Sequence, residues 1–256
     1  MELGLNNKII LVTGGGKGIG EGIVQALANE GAIPVIIGRN LQDNEKVLAS
    51  IDQKGFQVFA DLTEPEACKF AVQRVYEKFQ RIDGLVNNAG VNDGIGLENG
   101  SYDGFMASLH KNLVHYYLMA HYSLPFLKIS KGSIVNIGSK TAETGQGSTS
   151  GYAAANGGRN ALTREWAVEL LPYEIRVNAV IVAECYTPLY KSWISNFEYP
   201  EEKLKQITEK IPLGKRMTTT AEIAAMVCFL LSERSSHTTG ELIHVDGGYV
   251  SLDRAI

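Results

Sequence analysis

Ile9-Ile10-Leu11-Val12-Thr13 runs straight into Gly14-Gly15-Gly16-Lys17-Gly18-Ile19-Gly20. A short run that is apolar at nearly every position reads as a strand buried on both faces. Glycines after it let the backbone close around a pyrophosphate, and the helix that follows offers free N–H groups and a partial positive charge. The spacing Gly14-x3-Gly18-Ile19-Gly20 is looser than G-x-G-x-x-G. A merely tight turn therefore stands beside the reading of a dinucleotide cradle made by Gly14, Lys17, Gly18, Ile19 and Gly20.

Working outward, the same alternation continues along the chain. Strand-like runs fall at Ile33–Ile37, Gln57–Ala60, Gly84–Asn87, Ser133–Ile137, Arg176–Ile181 and Leu242–Val245. Helical patterns occupy Gly18–Asn29, Leu41–Ile51, Glu64–Phe79, Tyr102–Leu127, Gly151–Leu170 and Ala221–Leu231. Strand–helix–strand order predicts an α/β fold, with one domain over residues 1–256 and a parallel sheet of about seven strands covered by helices on both faces. The stretch from about 183 to 216 breaks the rhythm and mixes Tyr186, Tyr190, Trp193, Phe197 and Tyr199 with charges. An insertion of that length is expected to be a lid-like binding segment.

Composition narrows the function classes. The 256 residues are 45% hydrophobic and 20% charged, with a formal net charge of −4, which excludes a disordered chain and gives no basic surface for nucleic acid. No apolar run approaches a membrane span, and Met1 to Asn7 does not resemble a secretory leader. Cys68, Cys185 and Cys228 are odd in number and far apart, which fits a reducing cytoplasm and forms neither a disulfide framework nor a zinc cluster. His115 and His121, six apart on one helical pattern, do not face one another, so no metal site is expected.

At the end of the second strand stand Gly38-Arg39-Asn40. An acidic residue near this point would hold the ribose hydroxyls of NAD, whereas an arginine accommodates a 2′-phosphate. Arg39, with Lys17 beside it, points to NADP, with NAD as the alternative and a solvent-exposed arginine as the reading without function.

Thr13-Gly14-x-x-x-Gly18-Ile19-Gly20, Asn87-Asn88-Ala89-Gly90, Asn112, Ser139 and Tyr152 thirteen residues later together resemble the short-chain dehydrogenase/reductase family. The resemblance covers essentially the whole chain, to Val245-Asp246-Gly247-Gly248. It implies a Rossmann-type domain, a nicotinamide cofactor, and a homotetramer or homodimer built on the fourth and fifth helices. By motif position it puts Asp61 and Leu62 near the adenine, Asn88, Ala89 and Gly90 along the cofactor's sugar, and Thr187 at the nicotinamide carboxamide. Further stretches are similar to L-fucose dehydrogenase-like members: Asn88 through Leu97, His115-Tyr116-Tyr117, Ser139-Lys140-Thr141-Ala142, Ala183-Glu184 before Thr187-Pro188-Leu189-Tyr190, and the tail with Leu252-Asp253-Arg254-Ala255. They imply a sugar substrate.

Removing a hydride from a carbinol carbon needs a base for the hydroxyl proton and a donor for the developing oxyanion. The resemblance gives Tyr152 as the base, Ser139 as the oxygen's partner, and Asn112 as the holder of a water in the proton path. It also places a lysine four residues after the tyrosine, on the same helical face. This chain has Asn156 there. Asparagine can still bond the ribose but carries no charge. A free tyrosine titrates near ~10, so at neutral pH only about one in a thousand is ionised. Three readings follow: another cation compensates, with Lys140 and Arg159 nearest in sequence; the substrate is an acidic anomeric hydroxyl; or the protein binds a dinucleotide without turnover.

A second departure lies after the sixth strand, where Val182-Ala183-Glu184 replaces the family's Pro-Gly. Glu184 is a substrate-contact candidate, against a solvated or salt-bridged loop glutamate. Asn92, Asp93, Lys140, Gln146, Glu184, Tyr190 and Trp193 would give a polar pocket mouth with aromatic faces, suited to a sugar. The small residues Ala153–Ala155, Gly157 and Gly158 are expected at a helix contact across a dimer, and the tail from Tyr249 on a neighbouring subunit with Arg254 reaching a cleft.

Overall fold

The computed structural model describes residues 2–253. Seven parallel strands form one sheet: β1 (Ile9–Thr13), β2 (Ile33–Gly38), β3 (Phe56–Phe59), β4 (Gly84–Asn87), β5 (Ser133–Ser139), β6 (Arg176–Val182) and β7 (Leu242–Val245). Their order in the sheet is β3-β2-β1-β4-β5-β6-β7. The helices are α1 (Gly18–Asn29), α2 (Leu41–Ser50), α3 (Pro65–Phe79), α4 (Tyr102–Leu109), α5 (His115–Ser130), α6 (Ser150–Glu169), α7 (Pro188–Ile194), α8 (Pro200–Thr208) and α9 (Thr220–Leu231). This is the doubly wound Rossmann-type fold. The order reverses between β1 and β4, which opens a crevice at the strands' carboxyl ends.

Alternation along β1 sorts the core. Ile10 and Val12 pack with Val24, Leu27, Ile223 and Leu230 on one face. Ile9 and Leu11 pack with Val72, Leu85, Tyr116 and Met119 on the other. Successive side chains of a strand point to opposite faces, so a central strand must be apolar throughout.

A polar thread crosses the second core and fixes α6 to the sheet. Asn87 Nδ2 donates to Asn136 Oδ1 (3.0 Å), Asn136 Nδ2 to Thr163 Oγ1 (3.0 Å), and Thr163 Oγ1 to the Arg159 carbonyl (2.8 Å). Buried polar groups paired in this way hold one geometry and specify the packing.

Two sequence readings change, and a third gains detail. The pattern from Tyr102 to Leu127 is not one helix: a π-turn, His110–Val114, separates α4 from α5, a feature that helical periodicity does not reveal. The irregular segment holds the two short helices α7 and α8, and its base is tied down where Cys185 bridges Thr218 and the Thr218 amide donates to the Glu184 carbonyl (2.9 Å). Gly158 does not offer an outer face: a Cβ there would lie 2.8 Å from Leu113 of the same chain.

Candidate active site

A cavity of about 550 Å³ follows the crevice from the glycine turn to β5, α6 and α7. Gly14 and Gly18 hold φ of +66° and +62°, backbone that favours glycine. A Cβ at Gly20 would strike the Gly14 carbonyl oxygen, and one at Gly16 would strike Asn44 Oδ1. Asn88 secures the turn from the far side: its Nδ2 donates to the Thr13 carbonyl (2.9 Å), and its amide donates to Thr13 Oγ1 (2.8 Å). Gly14, Lys17, Gly18, Ile19, Gly20, Asn88, Ala89 and Gly90 all line the cavity.

Where adenosine is expected, the cavity is lined by Arg39, Asp61 and Leu62. Arg39 Nη1 pairs with Asp61 Oδ2 at 3.4 Å, and Lys17 pairs with Asp43 at 4.0 Å. Hydrogen bonds from the Thr63 amide and hydroxyl, then the Arg39 charge, hold the Asp61 carboxyl below the usual carboxylate range. Sequence reading missed Asn44. It is 2% exposed, lines the cavity, and its Nδ2 has no partner. Its signal was faint, since Asn44 looks like any polar helix residue until Gly16 and Gly38 fold over it. An orphaned buried donor and a side-chain-free cradle are what a dinucleotide would fill, so the residues fit that group.

Ser139, Tyr152 and Thr187 also line the cavity, with Ile137, Val182 and Tyr190. Ser139 ends β5, and its Oγ accepts from the Thr141 amide (3.3 Å) and hydroxyl (3.1 Å), which leaves its own proton free to donate. Thr187 caps α7 and packs 3.3 Å from where a Gly18 Cβ would stand.

Asn156 and Asn112 are placed differently from expectation. Neither lines the cavity, and both are fully buried. Asn156 Nδ2 donates to the Tyr152 carbonyl (2.9 Å), and its Oδ1 accepts from Arg159 Nη1 (3.0 Å), so its side chain is turned from the expected ribose contact. Asn112 was expected to hold a water; its carbonyl accepts directly from Arg159 Nε at 2.7 Å. Asn112 Oδ1 accepts from the Val91 amide at 2.7 Å. Beside them His115 donates from Nε2 to the Lys111 carbonyl (2.9 Å). Burial, then the nearby Arg159 charge, drops its pKa to about 3, so the ring is neutral.

Of the substrate candidates, Asn92 and Tyr190 line the cavity; Asp93, Lys140, Gln146, Glu184 and Trp193 do not. Asp93 turns to Ser108 (2.8 Å) and Lys111 (3.7 Å), and Gln146 is exposed. Trp193 packs edge-on against Tyr190, 5.1 Å between ring centroids. Lys140 and Glu184 form a nearly buried ion pair behind Tyr190, whose hydroxyl is kept protonated by burial and by the Glu184 charge. Tyr249, expected on a neighbouring subunit, lies over Lys140 Nζ at 4.1 Å in its own chain. Arg254 lies outside the described residues. Among the described residues no cluster of three metal-ligating side chains occurs, and no helix is long and apolar enough to cross a membrane.

The family described as enoyl-(acyl carrier protein) reductase matches residues 14–250. The chain belongs to the short-chain dehydrogenase/reductase family. Among its relatives, L-fucose dehydrogenase of Bos taurus is 33% identical, over 96% of this chain and 91% of that protein. The 3-oxoacyl-(acyl-carrier-protein) reductase of Thermotoga maritima is also 33% identical, over 96% and 99%. The crystal structure of Cj0485 dehydrogenase superposes with a TM-score of 0.96 at 44% identity, covering 100% of this chain and 99% of that one. As a short-chain dehydrogenase/reductase the chain is an oxidoreductase of the nicotinamide-dependent class.

Proposed function

We propose that this short-chain dehydrogenase/reductase oxidises L-fucose or a related aldose at C1 to an aldonolactone, with NADP preferred over NAD. The observation that carries the substrate reading is the nearly buried Lys140–Glu184 pair behind Tyr190, at the Ser139 end of the cavity. Neither side chain lines the cavity, so the pair acts through Tyr190, which does; an acyl chain or steroid gains nothing from a polar group held there, whereas a polyol does. The relatives that act on L-fucose agree with this reading.

When bound, the nicotinamide dinucleotide supplies the hydride acceptor. Ser139 holds the C1 oxygen by its free O–H, and Tyr152 takes the hydroxyl proton. Tyr190, steadied by the ion pair behind it, orients the remaining hydroxyls. The proposal includes a cytoplasmic protein working as a homotetramer or homodimer, with no nucleic acid or membrane partner.

A second reading, a reductase of another small polar ketone or a 3-oxoacyl thioester, is favoured by Asp93 and Glu184, neither of which lines the cavity: Asp93 turns to Ser108 and Lys111, and Glu184 to Lys140. Reduction of NADP and NAD at 340 nm against an aldose panel, beside oxidation of NADPH with ketone and thioester substrates, separates the two. Turnover of fucose-like sugars supports the first; turnover confined to ketones or thioesters rejects it. Glu184→Gln is expected to lower kcat/KM for the sugar about 10-fold, chiefly through KM, by loosening the support behind Tyr190. An unchanged KM would place Glu184 outside sugar recognition.

A further inference from the structure

Arg159 is a cation buried to 3% exposure with no carboxylate partner among the described residues. Three neutral oxygens hold it: the Asn112 carbonyl on Nε (2.7 Å), and the Ile137 carbonyl (3.1 Å) and Asn156 Oδ1 (3.0 Å) on Nη1. Nη2 is buried without a partner. It lies beside Gly90, where a Cβ would stand 2.9 Å from it. The guanidinium carbon is 5.9 Å from the Tyr152 ring centroid and 4.2 Å from that of Tyr116. Arginine does not shed its proton in a protein, and a buried charge without a counterion is costly. An arginine kept there without a carboxylate is suited to a neighbour that becomes negative. In the reading proposed above, on which this inference rests, that neighbour is Tyr152.

We propose that Arg159 is the positioning residue that replaces the missing lysine: its guanidinium favours the Tyr152 phenolate, and Asn156 serves as its clamp. Tyr152, Asn156 and Arg159 stand at i, i+4 and i+7, one face of α6. The longer arginine starts one turn further along and returns to the tyrosine. Asparagine at 156 leaves the space and supplies an acceptor, where a lysine would compete and repel. At an effective dielectric of ~20, a unit charge about 6 Å away favours an anion by a factor on the order of 100.

The other titratable groups around this pair do not mimic the effect near neutral pH. His115 and Tyr116 come from α5, Cys185 and Tyr190 from the wall after β6, and Lys111 from across the cavity, where it pairs with Asp93. His115 is neutral down to about pH 3, burial pushes the Cys185 thiol to about 11, and Tyr116 and Tyr190 are both pushed above the ordinary phenol range. The Lys140–Glu184 pair is internally neutralised.

The test compares the parent with Arg159→Met and with the double variant Asn156→Lys/Arg159→Val, which moves the cation back to the lysine position. Arg159→Met is expected to lose about 100-fold in kcat at pH 7, with the deficit shrinking toward pH 10. The double variant should return to within about tenfold of the parent. In the ligand-free proteins, the 295 nm absorbance that Tyr152→Phe removes should rise at higher pH in Arg159→Met than in the parent. A deficit constant from pH 7 to 10, no deficit, or an unmoved 295 nm step overturns the proposal. If Arg159→Met does not fold, the double variant decides, and activity below a hundredth of the parent's rejects the exchange. If the parent turns over no sugar, the substrate reading fails while the 295 nm comparison still judges Arg159.

Discussion

Gly90 has no side chain, and Arg159 fills the space one would need. A Cβ at this position would lie 2.9 Å from Arg159 Nη2 and 3.0 Å from Asn112 Oδ1, and neither is a loose end. Arg159 is held by three oxygens, and Asn112 Oδ1 is held by the Val91 amide. Gly90→Ala is therefore expected to destabilise the fold by about 1–3 kcal/mol, the usual cost of overpacking, and to lower kcat more than it raises KM. Denaturant unfolding and steady-state kinetics check this; an alanine tolerated in both would mean the guanidinium has room to move. At this scale the sequence was legible wherever function is a motif. Ser139, Tyr152 and the glycine turn, singled out by the resemblance, all line the cavity. Asn156 was read as a ribose ligand because i+4 spacing fixes the face a residue occupies. Spacing does not fix which neighbour on that face captures its side chain, and Arg159 captures it.

The π-turn at His110–Val114 sets the middle of the site. It holds Asn112 with its carbonyl on Arg159, and it is followed at once by His115, 1% exposed. His115 makes its one hydrogen bond back into this turn, to Lys111. Its folded pKa of about 3 lies below the ordinary 6.5, so between these values the unfolded chain binds the additional proton. Stability from this group is complete above pH 6.5 and drains as pH falls toward 3. The expected loss is about 2 kcal/mol between pH 7 and 5 beyond that of His115→Gln. Unfolding free energies of both proteins at pH 7, 6 and 5 give the difference, and parallel curves would mean that the ring accepts a proton in the folded state. Helical periodicity showed the helix from Tyr102 onward but not its interruption. One extra residue in a turn shifts the apolar pattern by less than the width of a buried stripe.

Across the whole molecule, the sheet and its parallel order were readable because right-handed strand–helix–strand units leave few topologies for a chain of this rhythm. The pairing behind Tyr190 was not, because it joins residues far apart in sequence. Lys140 meets Glu184 from 44 positions away, and Tyr249 arrives from the last turn of the chain. The crevice spans both halves of the sheet, so a dinucleotide bound there must stabilise the fold globally. At 100 times Kd the gain is about 2.7 kcal/mol, or roughly 5–10 °C in Tm for a domain of this size. Charge at the adenosine end is balanced, with Arg39 on Asp61 and Lys17 on Asp43. Arg39 is 73% exposed, and such surface pairs are worth ~0–1 kcal/mol. A 2′-phosphate can therefore draw Arg39 from Asp61 at small cost and gain a charge-assisted bidentate contact. At equal concentration NADP should raise Tm about 3–5 °C more than NAD, equivalent to a tenfold affinity difference. Arg39→Leu should remove the difference while leaving the NAD shift in place. A larger shift with NAD in the parent would assign Asp61 and Asn44 to the ribose hydroxyls and make NAD the working cofactor.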